Sequence, residues 1–138
     1  MDKTNKFQFL DFLANIFDNL NFRFHEKCIS EILELLHNSG SERKFLAAFE
    51  TSLVNLDKLG RGVCAHKNFE KLKNCEFFSM RIRIEKNNYR ILYAHEKEAV
   101  FLLAFYERGG KRKTDYTSRI PVAKKRLEEM NLNIKYIN

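Results

Sequence analysis

Phe78-Ser79-Met80-Arg81-Ile82-Arg83-Ile84, then Glu85-Lys86-Asn87-Asn88, then Tyr89-Arg90-Ile91-Leu92-Tyr93-Ala94 is the stretch that decides the fold. Its first run alternates apolar and polar side chains, as a strand buried on one face does. Residues 85–88 read as a turn, and residues 89–94 as the returning strand. A four-residue turn pairs Ile84 with Tyr89 and Arg83 with Arg90. Met80, Ile82, Ile84, Tyr89, Ile91 and Tyr93 then share one apolar face. Arg81, Arg83 and Arg90 share the other, within about 5–8 Å of one another. Like charges directly opposite are unfavourable. A fold tolerates them when an anion visits or when acids neutralise them, and Glu85 and Glu107 are the nearby acids in sequence. Alternatively, the arginines lie over solvent with their stems covering apolar atoms.

Outward from this hairpin, residues 95–98 form a second turn. Ala99 to Tyr106 is apolar throughout, the pattern of a strand covered on both faces. The three runs make an antiparallel meander at about 77–106. A polar, basic stretch follows at 107–119. Pro121 suits the first turn of a helix reaching about Met130, with Val122, Ala123, Leu127 and Met130 on its buried side. Toward the N-terminus the period changes to 3.6. Residues 5–20 place Phe9, Phe12, Leu13, Ile16, Phe17 and Leu20 on one helical face. Residues 21–25 alternate as a short strand. Residues 26–38 are helical again and end at Gly40, and 42–59 follow with Ser41 as N-cap. The expected class is α+β: N-terminal helices on one face of a small antiparallel sheet, with a C-terminal helix. Residues 1–138 read as one domain, with 1–20 an added helix, 21–62 mainly a helical hairpin and 69–130 the sheet core with its last helix.

The chain has 138 residues and a net charge of +7. Residues 1–60 hold 7 Lys/Arg against 9 Asp/Glu, whereas residues 61–138 hold 18 against 9. The basic excess is confined to the second half, which suits a polyanionic partner, nucleic acid ahead of a membrane surface. No run of about 18 apolar residues calls for a membrane span. Cys28, Cys64 and Cys75 are odd in number and widely spaced, against a disulfide framework and for a reducing, cytoplasmic setting. Cys64-Ala65-His66 is the only close Cys/His pair, too few ligands for zinc, so no metal or cofactor is expected.

Between Phe69 and Met130 the chain resembles the RelE/ParE superfamily of bacterial toxins, the RelE and HigB branches above all. The matching pieces are Lys71-Leu72, MRIRI at 80–84, YRILYA at 89–94, VFLLAFYER at 100–108, KRKTDY at 111–116, and a last helix with Pro121 and Ala123. The resemblance implies the toxin of a type II toxin–antitoxin pair, neutralised by a cognate antitoxin. RelE-like and HigB-like members cut messenger RNA on the ribosome, without a metal; ParE-like members inhibit DNA gyrase instead. Carried over, Arg81 and Arg83 match the paired basic residues of the second strand, and Arg90 the arginine after the next strand's tyrosine. Arg108 matches a basic residue past the following strand, and Tyr116 the C-terminal tyrosine. Lys111, Arg112, Lys113, Lys124 and Lys125 suit RNA-backbone steering, although a solvated loop and helix face would look the same.

Metal-free RNA cleavage needs a base for the 2′-hydroxyl, cations for the phosphorane and an acid for the leaving oxygen. Guanidinium forks suit the second task. They do not suit the first, because arginine does not deprotonate, and RelE-like enzymes carry lysines where this chain has Arg81 and Arg83. Lys113 and Asp115 are the nearest candidates for base or acid; His66 and His95 rank behind them. Gyrase inhibition and non-catalytic nucleic-acid binding stand as alternatives. Homodimerisation through the N-terminal helix stays open.

Overall fold

A computed structural model describes residues 11–12, 14–15, 22–37, 39–107 and 112–137, with the side chains of the last helix described from 116 to 131. The fold is α+β. Its order is β1 (Phe22–Phe24), α1 (Glu26–Leu36), α2 (Glu42–Leu59), a 3-10 turn (Gly60–Ala65), β2 (Phe69–Lys71), β3 (Phe77–Ile84), β4 (Asn87–His95), β5 (Ala99–Glu107) and α3 (Arg112–Ile137). The strands form one sheet in the order β1-β5-β4-β3-β2. The meander is antiparallel as expected, but the sheet is mixed, because β1 runs parallel to β5. β2 adds a fifth strand that three residues were too few to announce.

The hairpin is tighter than the sequence suggests. Ile84 pairs with Asn87, Arg83 with Asn88 and Arg81 with Arg90, so the connection is only Glu85-Lys86. Glu85 takes φ 57°, the left-handed region that a two-residue hairpin needs. That conformation costs a non-glycine residue about 1–2 kcal/mol. Asn87-Asn88 has turn-like side chains yet lies in the strand. The register differs from expectation by two residues, an even number, so every side chain keeps its face. What changes is the partner of Arg90, which is Arg81 and not Arg83.

Phenylalanines build the core beneath α1 and α2. Phe24 stacks on Phe101 with centroids 4.8 Å apart, and Phe22 meets Phe101 edge-on at 5.7 Å. Phe45 packs edge-on against Tyr89 at 5.5 Å. Phe45, Phe49, Leu53 and Leu56 of α2 are buried as their spacing predicts, while Leu59 is exposed. Gly60 ends α2 with φ 55°, and Gly40 takes φ 74° in the segment between α1 and α2. Ser41 occupies the N-cap position without a side-chain cap bond. Most of the expected 5–20 helix lies outside the described residues; Asp11, Phe12, Ala14 and Asn15 are helical, and Phe12 stacks on Phe49 at 5.8 Å.

The face expected to display bare arginines is partly roofed. α3 starts at Arg112, nine residues before Pro121, so Pro121 is an interior residue and 112–119 is helix. Tyr116, Ala123 and Leu127 bury against Phe77, Leu92, Leu103 and Phe105, making a second core and a three-layer arrangement. Val122, expected on the buried side, is exposed. The register shifts by one between Leu92 and Tyr93, leaving Leu102 as the extra residue of a β-bulge.

Beyond the short β1, side chains finish the edge of β5. Glu31 of α1 accepts the Ala104 N–H at 3.1 Å. Arg126 of α3 donates to the Leu102 carbonyl at 2.9 Å and forms a two-pronged pair with Glu31 at 2.8 and 2.9 Å. His25 caps α1 by accepting the Lys27 N–H through Nδ1, and its Nε2 meets Glu129 of α3 at 3.0 Å. These contacts supply ladder-like bonds where the neighbouring strand stops, as buried backbone groups require.

Candidate nucleic-acid interface

The arginines of the hairpin separate into two environments. Arg90 is 6% exposed and is neutralised. Glu107 of β5 accepts its Nε–H, Glu70 of β2 lies 3.7 Å from Nη1, and the guanidinium rests 5.9 Å from the Tyr116 ring centre. Tyr116 itself is buried; its hydroxyl shares a 2.8 Å bond with Ser79, and its ring meets Phe105 edge-on at 5.8 Å. Arg119, which the sequence reading passed over, lies over the Phe105 ring at 4.4 Å. Arg90 and Tyr116 therefore serve packing under α3, and the acid that the like-charge argument demanded is Glu107.

Arg81 and Arg83 stand differently. β2 pairs only with residues 78–80 of β3, so the turn end of β3 is a sheet edge. Alongside it runs an open groove of about 620 Å³, walled by Thr51, Ser52 and Asn55 of α2 on one side and by His66, Lys67 and Asn68 on the other, with Arg81, Arg83 and Glu85 along it. Asn68 fixes Arg81 twice: its carbonyl accepts the Arg81 N–H at 2.8 Å and its Oδ1 accepts Nη2–H at 3.2 Å. The Nε of Arg81 is buried without a hydrogen-bond partner. Arg83 is exposed and donates to the Glu85 carbonyl at 3.3 Å. The Glu85 carboxylate is taken by Lys44 at 3.0 Å. Among the described residues no carboxylate pairs with Arg81 or Arg83. The groove thus presents two guanidiniums, an ammonium and an imidazole in a mostly polar setting, a suitable host for a phosphodiester.

Other expected residues distribute as follows. Arg108 and Lys111 lie outside the described residues. Arg112, Lys113 and Asp115 fall in the first turns of α3, where only the backbone is described. Lys124 and Lys125 are exposed on α3, whereas Arg126 beside them is spent on Glu31. His95 ends β4, at the far end of the ladder from Arg81 and Arg83, half-buried against Phe78 at 6.5 Å. Its burial, assisted by Arg61, lowers its pKa. His66, ranked behind Lys113 and Asp115 in sequence, is the histidine of the groove. Its one signal was proximity to β2, and β2 was the strand missed.

No group of three His, Cys, Asp or Glu side chains arranged to hold a metal ion occurs among the described residues. No helix among them is long and apolar enough to cross a membrane. Comparison with protein-family models, with curated proteins and with solved structures gives no match.

Proposed function

We propose that the chain is the toxin of a type II toxin–antitoxin pair and cuts messenger RNA on the ribosome without a metal. One observation carries the reading: the fold neutralises the arginine that it buries, Arg90, and leaves Arg81 and Arg83, among the described residues, without a carboxylate in an open polar groove. Removing a charge from water is costly unless it is paired. An arginine pair kept uncompensated at the surface is suited to an anion that arrives from outside. The element order, a strand and two helices ahead of a meander and a last helix, accords with the resemblance to RelE-like and HigB-like toxins. The basic excess of residues 61–138 supplies attraction to RNA and ribosome. The reading entails a cognate antitoxin whose acidic or apolar segment covers the groove or displaces α3.

The test sets translation against supercoiling. Purified protein added to a bacterial cell-free system should halt translation at concentrations well below that of the ribosomes, and should leave gyrase supercoiling unchanged. Undiminished translation with blocked supercoiling would replace the nuclease by a gyrase inhibitor. RNA binding with neither effect would leave a non-catalytic binder.

A further inference from the structure

Arg81 and Arg83 can hold a phosphate but cannot take a proton at neutral pH. The groove must therefore contain another group if it cuts RNA. Lys113 and Asp115 fall in the first turns of α3, where only the backbone is described. Besides Lys67, which the groove offers as a cation, two groove side chains among the described residues can accept a proton, His66 and Glu85. Glu85 is held by Lys44 at 3.0 Å. Imidazole is the side chain whose charge changes nearest neutral pH, as a general base requires.

The loop that carries His66 is tied to Arg81. The His66 N–H donates to the Val63 carbonyl at 2.8 Å, and the His66 carbonyl accepts the Phe69 N–H at 3.1 Å, where β2 begins. Two residues on, Asn68 holds Arg81 through both its backbone and its side chain. The imidazole is exposed and carries no part of this bonding. His66 is thus a side chain free to act, on a backbone fixed relative to the guanidinium whose buried Nε lacks a partner.

We infer that the scissile phosphate binds between His66 and the Arg81–Arg83 pair, and that His66 takes the proton of the ribose 2′-hydroxyl. The inference rests on the nuclease reading above. A ring nitrogen of His66 accepts the 2′-hydroxyl proton while the 2′-oxygen forms its bond to phosphorus. The bond from phosphorus to the 5′-oxygen breaks, and the 5′-oxygen takes a proton from water; the hydroxide left behind takes the proton held by the His66 imidazolium. The products are a 2′,3′-cyclic phosphate and a 5′-hydroxyl, with every atom and charge accounted for. Arg81 and Arg83 hold the phosphorane oxygens. Lys67 adds a third cation on the same wall.

The experiment is single-turnover cleavage of ribosome-bound mRNA by the full chain, beside binding to ribosomes programmed with mRNA that is 2′-O-methylated at the cleavage site. His66→Ala should cleave roughly 10²–10⁴-fold more slowly, the usual contribution of a general base. It should bind the methylated complex within about twofold of wild type, and added imidazole should restore part of the rate. Cleavage by His66→Ala at the wild-type rate overturns the assignment and leaves the nuclease reading standing. A slow His66→Ala that also binds poorly and ignores imidazole overturns it too, making His66 a positioning residue. Wild-type protein that does not cleave overturns both.

Discussion

Glu107→Gln removes one charge from a buried pair and almost nothing else. The Arg90 side chain is 7% exposed and that of Glu107 is 9% exposed. Breaking such a pair from one side leaves an uncompensated charge and costs roughly 3–5 kcal/mol. Glu70, 3.7 Å from Arg90 and more open to solvent, offsets part of that loss, so about 3 kcal/mol is expected. Against a typical stability of about 5–15 kcal/mol this is a large share. At this chain length it lowers Tm by roughly 10 °C. Removing both charges, as in Arg90→Met/Glu107→Leu, should return stability to within about 1 kcal/mol of wild type, because the desolvation cost goes with the pair. Urea unfolding of wild type and both variants, followed by circular dichroism, reads the three values. A Glu107→Gln loss under about 0.5 kcal/mol, or a double variant less stable than the single, would refute the view of Arg90 as a packed, neutralised residue. It would return Arg90 to the anion-binding set with Arg81 and Arg83.

Three other outcomes follow from the same contacts. Arg126→Leu leaves Glu31 with the Ala104 N–H but without its cation, and the Leu102 carbonyl without the Arg126 donor, and should cost about 2 kcal/mol in the same assay. Cys28 is fully buried, and that burial raises its pKa, so native protein should show at most two thiols to a disulfide reagent, with the third reacting only on unfolding. His95 has a lowered pKa in the folded chain, so below the ordinary histidine value the unfolded chain binds the proton first. Its contribution is present above about pH 6.5 and is lost as pH falls through the folded value; His95→Gln should flatten the stability profile in that window.

The sequence made the faces of the sheet legible, because alternation survives any even register error. Its turn chemistry misled. Asn87-Asn88 looked like loop residues, and Glu85 has no glycine to announce a left-handed φ. The start of α3 was hidden by Pro121, whose preference for a first turn is weaker evidence than the packing of Tyr116 and Arg119, five and two residues ahead of it. The site was legible as a cluster of arginines and no further. Which of them is paired depends on how Glu70 and Glu107 meet Arg90 across neighbouring strands, and on a helix that crosses above. His66 entered the groove through a three-residue strand, too short for periodicity to register. The Glu31–Arg126 contact spans 95 residues, and no local pattern encodes it.

The central claim is that Arg81 and Arg83 clamp a phosphodiester that the chain then cuts. Primer extension across mRNA incubated with the protein, with and without ribosomes, tests it directly, with Arg81→Ala/Arg83→Ala and Lys124→Ala/Lys125→Ala in parallel. The account predicts new ends with wild type only when ribosomes are present, no new ends with the groove variant, and ends retained with the helix variant. Intact mRNA with the wild-type protein, or undiminished cleavage by Arg81→Ala/Arg83→Ala, would contradict it.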